Sequence, residues 1–240
     1  MSRKNAVITG ASRGIGKEIA NELASQGYDL FLVCHKNIDM LEALAKDLEN
    51  EYHIDCKCYA GDISDEDFCS LVFEQIQSLD VLINNAGISY IGLLQDMTAD
   101  EWHKVININL TSVFYMCKKA IPLMVSKKSG SIINISSMWG RVGASMEVAY
   151  SASKGGLNAM TQALAKELAP SNIQVNAIAC GVIDTDMNSH LNEEDREALK
   201  NEIPADRFAA PSEVAKAVDA IIKAGSYMTG QIIGFDGGYI

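Results

Sequence analysis

A tyrosine and a lysine four positions apart are the most suggestive pair of residues in the chain. Tyr150 and Lys154 lie within a predicted helix, so both side chains fall on one face. A free tyrosine, with a pKa of about 10, is a poor acid or base at neutral pH, but a neighbouring ammonium group favours the phenolate and lowers that pKa. The pair therefore predicts acid–base catalysis by a tuned tyrosine, although a Tyr-x-x-x-Lys spacing alone is common.

Two further polar residues precede this pair. Ser137 follows a predicted strand, 150 − 137 = 13 positions before Tyr150, and its hydroxyl could hydrogen-bond a substrate oxygen. Asn109 falls at a predicted break in a long helix, where it could hold a water that links Lys154 to solvent. The predicted catalytic set therefore consists of Asn109, Ser137, Tyr150 and Lys154.

A glycine-rich segment, TGASRGIG at 9–16, separates the first predicted strand from the first predicted helix. Glycines let the backbone turn tightly and approach a pyrophosphate, whose charge suits a helix N-terminus. The G-x-x-x-G-x-G spacing departs from the commoner G-x-G-x-x-G fingerprint, so an ordinary turn of small residues is the alternative. The segment predicts a site for the pyrophosphate of a dinucleotide.

The end of the second predicted strand indicates which dinucleotide binds. A carboxylate there would bind the ribose 2′-hydroxyl of NAD, but the residues at 34–37 are Cys-His-Lys-Asn. Lys36 and Arg13 could instead hold the 2′-phosphate of NADP; alternatively, both are solvated surface cations. Asp62, after the third strand, could accept a hydrogen bond from the adenine amine, and NNAG at 84–87 would continue the cofactor wall.

Taken together, these motifs resemble the short-chain dehydrogenase/reductase family along nearly the whole chain. The matching segments are TGASRGIG at 9–16, Asp62-Ile63, NNAG at 84–87, Asn109, Ser137 and YSASK at 150–154. The resemblance implies a seven-stranded sheet and Tyr150 as the acid that protonates a carbonyl as hydride arrives. It also implies that Lys154 lowers the pKa of Tyr150 and binds the nicotinamide ribose. In the same family pattern, Ser137 orients the carbonyl and Asn109 supports a proton relay.

The resemblance likewise implies a nicotinamide cofactor, NAD(P), and the residues at 34–37 favour NADP(H) as that cofactor. Asn85 and the segment at 182–185 would contact its nicotinamide half. The predicted cofactor-binding residues are Gly10, Ser12, Arg13, Gly14, Ile15, Gly16, Lys36, Asp62, Ile63, Asn85, Ala86, Gly87, Tyr150, Lys154, Ile183 and Thr185. Members of the family commonly form tetramers through the two long helices and the last strand, so a homotetramer is expected. No metal site is predicted.

Within the family, the chain is most similar to 3-oxoacyl-acyl-carrier-protein reductases of fatty-acid synthesis. The shared segments are NLTSVF at 109–114, IDTDM at 183–187, MTGQ at 228–231 and DGG at 236–238. The similarity implies reduction of a ketone, free or bound to acyl-carrier protein. Because that carrier is acidic, basic docking residues are expected. Carrier-dependent relatives often have an arginine just before the sixth strand, where this chain has Ser171-Asn172. The candidate patch is Lys118, Lys119, Lys127 and Lys128; alternatively, these are a solvated helix end and loop.

Other substrates remain open. The segment at 136–154 also resembles a subgroup that reduces the 5-aminopentanone group on elongation factor P. Such a ketone carries a nearby cation, for which Glu147 could supply the counter-charge and Trp139 a cation–π face; alternatively, Glu147 is a carboxylate favoured by the helix dipole. A hydroxysteroid or alcohol dehydrogenase is a third possibility, with an apolar pocket of Met138, Met146, Met187 and Leu191. A nucleotide-sensing scaffold is the non-enzymatic alternative, which the complete catalytic set disfavours.

The segment after the sixth predicted strand departs from the family pattern. Where relatives often have Pro-Gly, this chain has Cys180-Gly181. Loss of proline frees the backbone φ angle and weakens the rigidity of the loop. The substitution either places a thiol near the nicotinamide or leaves an inert buried thiol.

The elements that must position these residues follow from the hydrophobic pattern. Strands are predicted at 5–9, 28–34, 54–59, 80–84, 131–135, 173–179 and 231–235, and helices at 14–26, 40–51, 65–77, 100–126, 149–169, 193–202 and 212–224. We expect Ser64 to cap the third helix. Alternating strands and helices predict an α/β fold, a Rossmann-like doubly wound parallel sheet with helices on both faces. Because no linker is evident, residues 1–240 are predicted to form a single domain.

The composition excludes several classes of protein. Of 240 residues, 48% are hydrophobic and 21% are charged, which rules out a disordered chain. A net charge of −11 argues against nucleic acid and anionic membranes as partners. The six cysteines lack C-x-x-C spacing and suggest a reducing, cytoplasmic location. Neither a signal peptide nor a membrane span is recognisable.

Overall fold

A computed structural model of the chain describes residues 3–189 and 191–240. The strands are β1 Asn5–Thr9, β2 Asp29–Cys34, β3 Cys56–Ala60, β4 Val81–Asn84, β5 Gly130–Ser137, β6 Ile173–Cys180 and β7 Ile232–Phe235. The helices are α1 Gly14–Ser25, α2 Ile38–Tyr52, α3 Glu66–Phe73, α4 Ala99–Ile106, α5 Ser112–Lys127, α6 Trp139–Val142, α7 Val148–Leu168, α8 Glu193–Glu202 and α9 Pro211–Ala224. Of the described helices, none is long and apolar enough to cross a membrane.

The described strands form one seven-stranded sheet in the order β3-β2-β1-β4-β5-β6-β7. Every pairing is parallel; Ile8 of β1, for example, pairs with Leu32 on one side and Ile83 on the other. Strands covered on both faces read as continuous apolar runs, which is why β1, β4 and β5 are recognisable in the sequence. The predicted doubly wound α/β fold is therefore confirmed.

Two hydrophobic layers cover the sheet. On one face, Ile8 packs with Ile19 of α1, Leu41 of α2 and Val218 of α9. Because successive side chains of a strand alternate between faces, the neighbouring Val7 belongs to the other layer, with residues of α3, α5 and α7. All seven strands therefore present their carboxyl ends at one edge, where the loops that carry the predicted site converge.

The predicted long helix at 100–126 is interrupted where expected. Residues Asn107–Thr111 form a π-helical turn between α4 and α5, and Asn109 within it is fully buried. Such turns are rare and often mark functional sites. The sequence did not predict α6, a helix of only four residues directly after β5.

The predicted cap of α3 is wrong. Asp65, not Ser64, is the N-cap residue, and its carboxylate accepts a hydrogen bond from the Asp67 amide at 2.9 Å. Ser64 instead donates its backbone and hydroxyl protons to the Asp62 carboxylate, at 2.9 and 2.7 Å. Serine and aspartate both cap helices well. Here Ser64 is already bound to the Asp62 carboxylate, and Asp65 caps the helix instead.

Candidate active site

A cavity of about 900 Å³ lies at the carboxyl edge of the sheet. Its lining extends from the glycine-rich loop after β1, past the ends of β2, β4, β5 and β6, to α8. The predicted site residues that line it are Gly10, Ser12, Arg13, Gly14, Ile15, Lys36, Asp62, Ile63, Asn85, Ala86, Gly87, Ser137, Tyr150, Lys154, Ile183 and Thr185. Among the described residues, the predicted site residues outside this lining are Gly16 and Asn109.

The glycine-rich loop needs its glycines for reasons of geometry. Gly10 and Gly14 have φ angles of 67° and 55°, which L-residues rarely adopt. A Cβ atom on Gly16 would lie 2.2 Å from the Gly10 carbonyl oxygen, so Gly16 allows close packing of helix and loop. This bare backbone beside the start of α1 is a cradle that fits a pyrophosphate.

Asn85 braces the same loop from the end of β4. Its Nδ2 donates to the carbonyl oxygens of Thr9 and Gly10, at 2.9 and 3.1 Å. The Thr9 hydroxyl in turn accepts from the backbone amides of Asn85 and Ala86, both at 3.0 Å. The structure thus directs the Asn85 side chain at the glycine-rich loop, whereas its predicted contact with the nicotinamide half stays a prediction.

Two cationic side chains lie at the end of the cavity away from Tyr150: Lys36 follows β2, and Arg13 lies on the glycine-rich loop. Lys36 is exposed, and Nε of Arg13 lies 3.5 Å from a carboxylate oxygen of Asp186 across the cleft. Asp62 also lines this end, and its two hydrogen bonds from Ser64 lower the pKa of its carboxyl group. The region combines the positive side chains of Arg13 and Lys36 with the carboxylate of Asp62, and can receive a phosphate and an amine.

Tyr150 and Ser137 are both buried in the cavity wall, with 9% and 6% of their surfaces exposed. Burial raises the pKa of Tyr150; the hydrogen bond from Ser137 opposes this rise, and the nearby Glu147 adds to it. Desolvation is the largest cause of this rise, and the predicted lowering of the Tyr150 pKa by Lys154 stays a prediction. Tyr150 accordingly holds its proton at neutral pH.

Lys154 is 4% exposed and lies beneath Tyr150. Its Nζ donates to the Ile135 carbonyl oxygen at 2.8 Å and lies 5.7 Å from the centroid of the Tyr150 ring. Burial lowers the pKa of Lys154 from 10.5 to about 8. The ammonium group can therefore lose and regain a proton near working pH.

Asn109 lies behind the cavity lining and is hydrogen-bonded to Ile88, which lines the cavity, and to Ser153. Its Oδ1 accepts from the Ile88 amide at 2.9 Å, while its Nδ2 donates to the Ile88 carbonyl oxygen at 2.9 Å and to Ser153 Oγ at 3.1 Å. Ser153 donates onward to the Tyr150 carbonyl oxygen at 2.7 Å. Asn109 thus fixes the backbone on both sides of the cavity, and its predicted water-holding role stays a prediction.

A carboxylate lines the cavity beside the catalytic set. Glu147 precedes α7, but among the described residues its side chain caps no helix amide. Its Oε2 accepts instead from the Ser89 hydroxyl at 2.7 Å. The alternative that Glu147 is only a helix-end carboxylate is therefore weakened. Ser89 was not predicted, since nothing in the sequence links two residues 58 positions apart.

Sequence reasoning anticipated part of the remaining lining. Trp139, Met138, Met187 and Leu191 lie in the cavity wall, whereas Met146 is 45% exposed and lies outside it. The predicted Val182 lines the cavity too, and the additional lining residues are Val33, Cys34, His35, Asn37, Gly61, Ile88, Ser89, Ile91, Ile108, Ile135, Ser136, Gly181, Asp186, Asn188 and Leu199. Most of them lie at the carboxyl end of a strand or in the loop that follows it, which is the signal that could have found them.

Cys180 is a buried thiol in the same wall. It ends β6 with 5% of its surface exposed, and burial raises its pKa to about 12. A thiol with so high a pKa is a weak nucleophile. The structure therefore favours the inert thiol of the two alternatives.

The candidate lysine patch is not one surface. Lys127 pairs with Asp80 just before β4, and Lys128 lies two residues before β5, so both sit at the amino edge of the sheet, opposite the cavity. Lys118 is paired with Glu66 at 2.8 Å. Within the described part of the chain, the four lysines therefore form no common docking patch at the cavity mouth.

Comparison with known proteins agrees with this geometry. A family profile described as short chain dehydrogenase matches residues 4–196. The chain is 37% identical over 238 residues to the uncharacterized oxidoreductase YmfI of Bacillus subtilis, covering 98% of each chain. It is 38% identical over 240 residues to a 3-oxoacyl-acyl-carrier-protein reductase of Aquifex aeolicus, covering 98% of this chain and 96% of the relative.

A solved structure is similar over the entire chain. It is that of YwfH, an NADPH-dependent reductase involved in bacilysin biosynthesis, with a TM-score of 0.93 and 29% sequence identity. The superposition covers 100% of this chain and 99% of the other.

Proposed function

Because the chain belongs to the short chain dehydrogenase family, we propose that it is an NADPH-dependent reductase that converts a ketone to an alcohol. One observation carries the proposal. The glycine-rich loop and the buried Ser137, Tyr150 and Lys154 line a single cavity, so a dinucleotide and a carbonyl compound can meet there. A binding protein has no need to bury a lysine beside a tyrosine at its own energetic cost.

NADPH is the proposed cofactor, and it supplies the hydride when bound. The backbone of Gly10 and Gly14 would hold the pyrophosphate, and Arg13 with Lys36 would hold the 2′-phosphate. The absence of a carboxylate at the end of β2 supports NADPH over NADH, as does the NADPH dependence of the structurally similar reductase YwfH.

The protein's own groups manage the proton. Tyr150, which keeps its proton at neutral pH because burial raises its pKa, donates it to the carbonyl oxygen. Ser137 hydrogen-bonds the same oxygen and orients the carbonyl group. Lys154, whose pKa is about 8 and whose Nζ lies 5.7 Å from the Tyr150 ring centroid, is the nearby group that can supply the next proton to Tyr150.

The first candidate substrate is a 3-oxoacyl thioester. The curated relatives named as 3-oxoacyl-acyl-carrier-protein reductases support it. Acyl-carrier protein is the partner that this reading proposes, in a reducing cytoplasmic compartment. The placement of Lys127 and Lys128 away from the cavity removes the basic patch that we had expected to dock this acidic carrier.

The second candidate is a ketone that carries a nearby ammonium group, such as the 5-aminopentanone of elongation factor P. Glu147 favours it, because this carboxylate lies in the cavity wall, caps no helix among the described residues and accepts a hydrogen bond from the neutral Ser89 hydroxyl. Trp139 adds an aromatic face to the same wall. No comparable observation favours a hydroxysteroid.

NADPH oxidation with both ketones tests the proposal. Acetoacetyl thioester, free and on acyl-carrier protein, is compared with elongation factor P carrying the aminopentanone. Tyr150→Phe should abolish turnover while NADPH binding, followed by fluorescence, is retained; turnover by this variant would refute the role of Tyr150. NADPH binding without turnover of either ketone would indicate a nucleotide sensor.

Glu147→Gln distinguishes the two ketones, because it removes the charge and keeps the shape. If the substrate is cationic, this variant should raise the KM for the aminopentanone by roughly tenfold and leave the KM for the thioester unchanged. An equal effect on both ketones would reject the charge argument. Asp96→Asn, at an exposed carboxylate outside the cavity lining, is the matched control.

A further inference from the structure

We infer that Tyr239, near the C-terminus, is a positioning residue for ketone binding, because it ties the end of α8 to the Trp139 wall of the cavity. The inference rests on the proposed function and concerns only the ketone end of the site. The tail at 236–240 is the connection between two segments that are separate in sequence.

Tyr239 has two contacts that reach the cavity. Its hydroxyl donates to Glu202 Oε2 at 2.5 Å, and Glu202 is the last residue of α8. Its ring packs edge-on against Trp139, with centroids 5.9 Å apart and planes inclined by 68°. Trp139 lines the cavity beside Ser137, and α8 contributes Leu199 to the lining.

The tail that carries Tyr239 is itself anchored. The Ala205 amide donates to the Gly237 carbonyl oxygen at 3.1 Å, directly after α8, and the Gly181 amide donates to the Phe235 carbonyl oxygen at 2.9 Å. Nη1 of Arg141, in α6, lies 3.9 Å from the Asp236 carboxylate. Tyr239 therefore extends from a fixed turn rather than from a fraying end.

Side-chain contacts hold helix α8 near both of its ends. Near its start, Arg196 donates to Asp184 at 2.8 Å, which ties the helix to the loop after β6. At its last residue, the hydrogen bond from Tyr239 ties it to α6 through Trp139. The bond to Glu202 raises the pKa of Tyr239 to about 12, so the hydroxyl remains a donor throughout the working pH range.

Loss of this hydroxyl should act on the ketone and not on the cofactor. Without the second attachment, α8 can move away from Trp139, and Leu199 and Trp139 no longer hold a fixed separation. The glycine-rich loop and Lys36 lie at the other end of the cavity. The expected result is therefore a higher KM for the ketone, with kcat and the NADPH Kd unchanged.

Tyr239→Phe tests the inference, and Tyr227→Phe, at a fully exposed tyrosine, is the matched control. One lost hydrogen bond should raise the ketone KM by about fivefold. Glu202→Ala should match it, and the double variant should show no further increase. An unchanged KM in Tyr239→Phe, an equal rise in Tyr227→Phe, or an equal change in the NADPH Kd would overturn the inference.

Amide hydrogen exchange across 193–202 separates this inference from the proposed function. Tyr239→Phe should speed exchange in α8 relative to the natural sequence and to Tyr227→Phe, whether or not any tested ketone is reduced. Faster exchange without turnover would support the attachment while refuting the ketone assignment. Unchanged exchange would overturn the attachment itself.

Discussion

Tyr150 and Lys154 are both shifted by burial toward their neutral forms. The pKa of the tyrosine rises and that of the lysine falls to about 8, because a low-dielectric wall disfavours either charge. A protonated tyrosine beside a lysine that titrates near working pH is the arrangement that a proton donor requires. Because the lysine is charged in the unfolded chain at neutral pH, burial of Lys154 costs the fold stability, and that cost is measurable.

Replacement of Lys154 by methionine should stabilise the protein. Between pH 8 and 10.5 the unfolded chain binds more protons at Lys154 than the folded chain does, so stability from this group rises with pH in that window and its penalty is constant below it. We expect Lys154→Met to raise the free energy of unfolding at pH 7 by ~1–2 kcal/mol and to abolish turnover. Urea unfolding without cofactor measures the difference in unfolding free energy between the variant and the natural sequence, and this difference should narrow as pH rises. A less stable variant, or a difference independent of pH, would contradict the argument.

Arg13 tests the choice of cofactor. Its guanidinium group faces Asp186 at 3.5 Å, but an exposed pair of this kind contributes little to stability. Arg13→Ala should raise the Kd of NADPH by about tenfold and leave that of NADH nearly unchanged, with Lys36→Ala acting in the same direction. Asp186→Asn is the matched control and should not weaken NADPH binding, since it frees Arg13 for phosphate. Equal losses for both cofactors would remove the 2′-phosphate assignment.

At the level of elements, Asn158 and Thr161 fasten α7 to β5 at two points beyond the bond from Lys154 to the Ile135 carbonyl oxygen. Asn158 accepts from the Ser136 hydroxyl at 2.7 Å and donates to the Gly140 carbonyl oxygen at 3.0 Å. Thr161 accepts from Asn134 at 2.8 Å. The first fastening holds the segment that carries Ser137 and Trp139, whereas the second lies deeper in the sheet.

These two fastenings should separate catalysis from stability. Asn158→Leu removes both bonds of the first fastening, and we expect kcat to fall by about tenfold, because a small displacement of Ser137 is costly. Thr161→Val removes one buried bond of the second and should lower the unfolding free energy by ~1–2 kcal/mol without changing kcat. Kinetics and urea unfolding measured on both variants provide the test. If the kcat of Asn158→Leu equals that of the natural sequence, Asn158 has only a structural role.

The sequence predicts helices and strands well where a local pattern of apolar and polar residues determines them. Apolar runs locate β1 and β4 because both faces of those strands are buried, and the polar Asn109 inside a long helix marks the π-helical turn. Contacts made across the fold leave no such pattern. The Ser89–Glu147 bond joins separate loops, and Lys127 lies far from the cavity only because α5 runs back along the sheet.

The whole molecule has a net charge of −11, and in the described part of the chain the four candidate lysines form no patch at the cavity mouth. Electrostatic attraction between this protein and the acidic acyl-carrier protein should therefore be weaker than it would be with a basic docking site. A ketone presented on a basic or neutral protein, or as a free small molecule, is compatible with this charge. The comparison of carrier-bound and free thioester thus reports on the surface as well as on the cavity.

Assembly is the last property on this scale. Phe114 and Val125 of α5 are 48% and 40% exposed and lie 125 − 114 = 11 residues apart, about three turns, on one side of the helix. Exposed apolar stripes of this kind mark interfaces, and the family resemblance implies a homotetramer. Light scattering should give about four chain masses, and Phe114→Glu should shift the protein to smaller species. Met40→Glu, at an equally exposed residue of α2, should leave the mass unchanged. A monomeric natural sequence, or dissociation by both variants, would refute α5 as the interface.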